Sequence, residues 1–204
     1  MGADDWYRMT DWTEEGAANF EKKIERARSQ KAQYLTLQAY HLLDRRPDIS
    51  LKLLDRAEEA DVERYEGGRI NNFRAEANLR LGNIEKVLSS YEDSMREQRV
   101  PGAIVTSSAL DYAFVVAYFR IADKYDVALD IVRNFPGSPF PNSAAQALGA
   151  HAMILSERGE AGAGDLARDA LGALDLPDEP LDPEARYGSV SAVSFIERLR
   201  EIAI

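Results

Sequence analysis

The chain has no cysteine. That one absence excludes a disulfide framework, a thiolate metal site and a thiol nucleophile, and it makes the cytosol the natural compartment. Histidine is almost as scarce, with only His41 and His151, far apart in sequence. Each reads as a structural histidine, so neither a metal nor any other cofactor is expected. No run of ~18 apolar residues occurs and no basic segment leads into one, so neither a membrane span nor a secretory leader is expected. Gly2 follows Met1, but Trp6 stands where a myristoylation motif requires Ser or Thr. Positive charge is also in deficit. Against 35 acidic residues there are 25 basic ones, a formal net charge of −10. Phosphate backbones and anionic lipid surfaces are therefore repelled on balance, and neither nucleic acid nor membrane is expected as a partner. One basic stripe, Lys22, Lys23, Arg26, Arg28 and Lys31, reads as a solvated helix face.

Catalytic motifs are missing as well. There is no GxxxxGK[ST] phosphate loop, and Gly162-Ala163-Gly164 is a bare GxG in a turn that follows a helix. Asp123, Asp126 and Asp130 lack the glycine and terminal glutamate of a calcium loop. Paired carboxylates such as Glu14-Glu15 and Glu58-Glu59 sit on helices with no apolar pocket beside them, so they read as solvated faces. The chain is not expected to be an enzyme.

What the sequence does contain is helical periodicity from Thr13 to Ile202. Strand-like alternation is scarce, and Ala103–Val105 is its best instance. Asp11, with Glu14 three residues on, has capping-box spacing and marks the start of a helix. Breaks fall at Arg45-Arg46-Pro47, Gly67-Gly68, Leu81-Gly82-Asn83, Pro101-Gly102, 136–141 and 159–164, which divides the chain into helical hairpins. Helix-spaced aromatic residues, among them Tyr34, Tyr40, Phe73, Tyr91, Tyr112, Phe114 and Phe119, read mostly as core. The loop FPGSPFP, 135–141, is either a plug tucked between hairpins or an exposed anchor. The acidic run 175–184, DLPDEPLDPE, reads as a proline-stiffened linker or an acidic dock.

The hairpins resemble one another. LLDRRPDISLKLLDRAEEA, RLGNIEKVLSSYEDSM, RIADKYDVALDIVRNF and SERGEAGAGDLARDAL align so that Ser50, Val87, Ala128 and Gly164 open each second helix, 37, 41 and 36 residues apart. A small side chain is what a close helix crossing requires, and a repeat of this period indicates stacked two-helix units. The pattern resembles the tetratricopeptide repeat over residues 30–175, best in the third unit, with Tyr112, Val115, Val116 and Phe119 on its first helix and Ala128, Val132 and Phe135 on its second. The second unit keeps Ala75, Leu81, Gly82 and Tyr91 but departs from the pattern at Asn71, Arg74 and Asn78; the fourth is degenerate. The stretch from Trp6 through Ala39 also resembles the opening of bacterial repeat proteins.

The resemblance implies an all-α protein: a right-handed superhelical stack of about four helix-turn-helix hairpins forming one domain, 1–204. Residues 1–29 would be an N-terminal cap, 30–175 the repeats, and 176–204 an acidic linker and C-terminal capping helix. It also implies that first helices line a concave surface. Tyr34, Gln38, His41, Asn72, Glu76, Arg80, Arg120 and Met153 are then the partner-facing residues, with Ala113, Ala117 and Gly149 at equivalent positions. The polar residues of the second unit, Asn71, Asn72, Arg74, Glu76 and Asn78, form either a ligand groove or a structural network between hairpins. The expected function is a non-enzymatic protein- or peptide-binding scaffold of the bacterial cytoplasm. The alternative is an acidic inhibitor, of the immunity-protein or antitoxin kind, that blocks a basic enzyme by charge complementarity.

Overall fold

The computed structural model describes residues 6–137, 140–174, 186–187 and 190–204. The regular structure of the described residues is helical apart from one short ribbon. Its internal contacts divide it into two compact units, Met1–Ser108 and Ala109–Ile204, where the sequence alone reads as one continuous domain.

The first unit holds α1 (Glu14–Ile24), α2 (Lys31–Leu42), α3 (Pro47–Ala60), α4 (Gly67–Arg80) and α5 (Ile84–Glu97). Helix α1 begins where the Thr13 hydroxyl accepts the Gly16 N–H at 3.1 Å, with Glu14 and Glu15 in the first turn and Lys22 and Lys23 in the last, each sign matched to the helix dipole. Thr13, not the expected Asp11, is the cap. Asp11 instead pairs with Arg45. Pro47 opens α3, where its missing N–H costs nothing. Helices α2 and α3 pack as one hairpin and α4 and α5 as the next, with α3 and α2 also against α4. Phe20, Ile24, Leu35, Ala39, Leu42, Leu53, Leu54, Ala57 and Ile70 form the core, covered by Trp6, Trp12 and Phe73. Burying each large apolar side chain contributes about 1.5–3 kcal/mol.

Residues 103–105 are not a strand. They belong to the loop after α5, where Ile104 N–H donates to the Tyr65 carbonyl at 3.0 Å. Here the chain passes so close to α4 that Gly68 has no room for a side chain. A Cβ there would stand 2.8 Å from the Ile104 oxygen. The Gln98 carboxamide closes the same region, donating to Thr106 Oγ1 at 2.9 Å and Ser108 Oγ at 2.7 Å and accepting from Thr106 N–H at 3.0 Å.

The second unit runs from α6 (Ser108–Tyr118) through a 3-10 turn (Ala122–Lys124) to α7 (Tyr125–Arg133), α8 (Pro141–Arg158), α9 (Ala163–Ala173) and α10 (Ala192–Ile202). Helix α8 ends at Gly159, whose left-handed φ of 64° lets Glu160 N–H reach back to the Leu155 carbonyl at 2.9 Å. Helices α8 and α9 form a hairpin, and α10 packs on both. A two-residue antiparallel ribbon, β1 (Arg186–Tyr187) with β2 (Val190–Ser191), leads directly into α10. Phe114 meets Phe195 edge to face at 4.9 Å, and buried Gln146 donates to Asp111 at 2.8 Å, so α6 is tied to both α10 and α8.

Candidate functional site

The residues that resemblance assigns to a partner-facing surface separate into three groups. Gln38 and Met153 are fully buried, and Asn72 is 4% exposed, so none of them presents a surface to a partner. For Gln38 the reason is the chain's own N-terminal arm. Met9 N–H donates to Gln38 Oε1 at 3.0 Å and Gln38 Nε2 donates to the Met9 carbonyl at 2.7 Å. Tyr34 lies under the same arm, its ring 5.0 Å from Trp6 and 4.7 Å from Tyr7. In the second unit Ala113, Ala117, Gly149 and Met153 are all core positions. Helix α10 covers α8 so closely that a Cβ on Gly149 would stand 2.6 Å from the Phe195 ring.

The polar stripe of α4 is a network within the chain. Arg74 donates to Asn71 Oδ1 at 2.5 Å and spans to Asp55 at 3.1 Å and Glu58 at 2.8 Å on α3. Asn78 Nδ2 donates to the Arg74 carbonyl at 2.9 Å. Arg80 reaches Asp44 at 2.8 Å and Glu76 at 3.3 Å, and only 15% of its side chain is exposed. Asn72 stands between Glu76 and Thr106, each at 3.4 Å. These groups satisfy one another between neighbouring hairpins. Arg120 is different: it is exposed, adopts a left-handed φ of 58°, and meets Glu157 at 2.7 Å, which Arg198 also holds at 3.0 Å.

What remains open is aromatic. Tyr40 is 48% exposed, its ring 4.9 Å from Phe73 on α4 and 5.3 Å from His41. The contact lies where the first helices of two consecutive hairpins meet. It places a flat apolar ring with a polar tip, an imidazole and the Arg80–Asp44 pair along one face. Burial, with a contribution from the Arg8 charge, holds His41 below its ordinary 6.5. Of the helix-spaced aromatics read mostly as core, Phe73 packs against the core of the first unit while Tyr40 is half-exposed, because helix spacing does not separate a core aromatic from a surface one.

Three hollows border these elements or lie beyond them. One of about 430 Å³ is lined by Trp6, Lys23, Arg26, Arg28, Gln30 and Tyr34 among others. A second, of about 230 Å³, gathers Glu58, Asp61, Arg64 and Glu97 at the start of α4. There Asp61 accepts the Glu66 N–H at 2.8 Å, while Arg64, held at a φ of 60°, clamps Glu97 with Nε 2.9 Å from Oε2. Burial raises both the Asp61 and Glu66 carboxyls. A third, of about 240 Å³, is apolar, with Val132, Phe135, Ala144, Leu148 and His151 on its walls. Phe140, beside it in sequence, is 69% exposed, while Ser138 and Pro139 of the same loop lie outside the described residues, as does the acidic run 175–184. Among the described residues no group of three or more His, Asp or Glu is placed to hold a metal ion, and no helix is long and apolar enough to cross a membrane.

Comparison with protein families, with curated protein sequences and with solved structures finds no match to this chain.

Proposed function

We propose that the chain is a tetratricopeptide-like repeat protein of the cytoplasm, without catalytic activity of its own, that binds another protein or peptide on the first-helix face of its N-terminal hairpins. The observation that carries this reading is the exposed Tyr40 ring resting on Phe73 beside His41. A rigid aromatic with a polar tip, held in place by its neighbours, is the kind of group that anchors interfaces. A repeat architecture is supported by the anchors Ser50, Val87 and Ala128, the first and last of them small and all three fully buried at the openings of α3, α5 and α7, and by α2 and α4 packing on each other. A right-handed superhelical stack follows from such units when each is turned slightly on the last.

The test is selection of a random peptide library on the full-length protein, followed by affinity measurement with Tyr40→Ala. Selected peptides should lose about 2 kcal/mol of binding to that variant, the scale of an aromatic anchor, while its melting temperature stays close to that of the parent. Failure to enrich any peptide, or equal affinity for Tyr40→Ala, would remove this face from consideration.

A further inference from the structure

The basic stripe at the end of α1, Lys22 and Lys23 with Arg26 and Arg28 just beyond it, borders a hollow. Where the chain finishes α1 and turns into α2, Lys23, Arg26, Arg28 and Gln30, with Trp6 and Tyr34, line the hollow of about 430 Å³. That volume lies within the ~300–1,000 Å³ usual for small-molecule sites. Among the described residues that line it, none is a carboxylate. In a chain with 35 acidic against 25 basic residues, this is the opposite of the average surface.

Most arginines elsewhere in this unit have acidic partners, among them Arg45 with Asp11, Arg46 with Asp48, Arg56 with Glu21, Arg74 with Asp55 and Glu58, and Arg80 with Asp44, whereas Arg8 lies over the Tyr7 ring. Among the described residues Arg26, Arg28 and Lys23 have no carboxylate within ion-pair reach. The Lys23 ammonium lies over the Trp6 ring instead, 5.6 Å from its centroid. Cations gathered without counter-charge repel one another, and a bound anion relieves that repulsion. The wall is also fixed in advance. Tyr34 is held by Trp6 at 5.0 Å and donates its hydroxyl proton to Gln30 Oε1 at 2.6 Å, so little order has to be imposed on binding.

We propose that this hollow binds a small molecule bearing a phosphate group, with Arg26, Arg28 and Lys23 receiving the phosphoryl oxygens and Trp6 and Tyr34 bounding the organic part. A carboxylate has two oxygens and suits one guanidinium fork; a phosphoryl group has three and engages all three cations. The net charge of −10 is no obstacle to such a ligand. A small anion inside the hollow feels the charges within a Debye length, about 8–10 Å, whereas an extended polyanion meets the acidic remainder of the molecule.

The test is a nuclear magnetic resonance titration of the full chain with adenosine monophosphate and with inorganic pyrophosphate at low salt, following the indole N–H signals of Trp6 and Trp12. The expected result is a saturable shift of Trp6 with Trp12 unmoved. Affinity should fall about tenfold for each of Arg26→Gln and Arg28→Gln, the loss that one charged hydrogen bond predicts, and be unchanged in Arg45→Gln. Both arginines are exposed, so these variants should fold, which circular dichroism checks; Lys23→Gln gives an independent third measurement. The proposal is overturned by an absence of saturation with both probes, or by equal affinity in an Arg26→Gln, Arg28→Gln double variant. It is also overturned if the chain responds to phosphatidic-acid vesicles and to neither soluble phosphate.

Discussion

A methyl group at Gly68 would meet the Ile104 carbonyl at 2.8 Å and Gln98 Cγ at 2.7 Å, and the carbonyl belongs to backbone that cannot turn aside. Gly68→Ala should therefore destabilise the first unit by roughly 1–3 kcal/mol in denaturant melts, an overpacking cost rather than a cavity cost. Gly149→Ala makes the matching test in the second unit, where the obstacle is the Phe195 ring at 2.6 Å. The two histidines set a pH dependence. Burial with the Arg8 charge lowers His41, and burial with the Arg133 charge lowers His151, partly offset by Glu160. Because the folded imidazoles are harder to protonate than unfolded ones at 6.5, they cost nothing above that pH. Their penalty grows as the pH falls below it. Asp61 and Glu66 act in the opposite sense, since burial raises their carboxyls and acid relieves that penalty. A His41→Gln, His151→Gln double variant should thus lose less melting temperature than the parent on acidification through 6.5, with the gap closing above it.

At the scale of helices, α4 shows what its polar residues are for. Arg80 ties it to Asp44 in the α2–α3 turn and Arg74 ties it to α3, while Asn71 and Asn78 bond within α4. Arg80→Ala should lower stability by about 1 kcal/mol, held to that by the exposure of Asp44, and leave peptide binding at Tyr40 nearly unchanged. A paired measurement of melting temperature and affinity separates this from the ligand-groove reading, which requires the reverse. The helices were legible because their apolar positions recur with a helical period, and Ser50, Val87 and Ala128, near the openings of α3, α5 and α7, are buried. The surface was not. Whether a polar residue such as Asn72 or Gln38 faces a partner or the chain's own backbone depends on what lies across from it, and here that is Thr106, or Met9 from 29 positions upstream. Local spacing carries no record of such contacts. The charge run from Lys22 to Lys31 reads from sequence as a solvated helix face, and Lys22, Arg26 and Arg28 are exposed.

Taken whole, the molecule's internal contacts fall into two units, each with its own packed hairpin. Native-state hydrogen exchange should find the slowest amides in α4 with α5 and in α8 with α9, and fast ones in the 28–30 connection. Uniform protection from α1 to α10 would contradict a division of this kind. The arm held by Gln38 bears on any peptide that approaches α2. Its single carboxamide already reads both the donor and the acceptor of Met9, the same two groups that any extended chain offers. The arm is tethered, so it competes at an effective concentration on the millimolar scale. A free peptide aimed at that fork has to bind more tightly than this standing competitor before it occupies the fork at all.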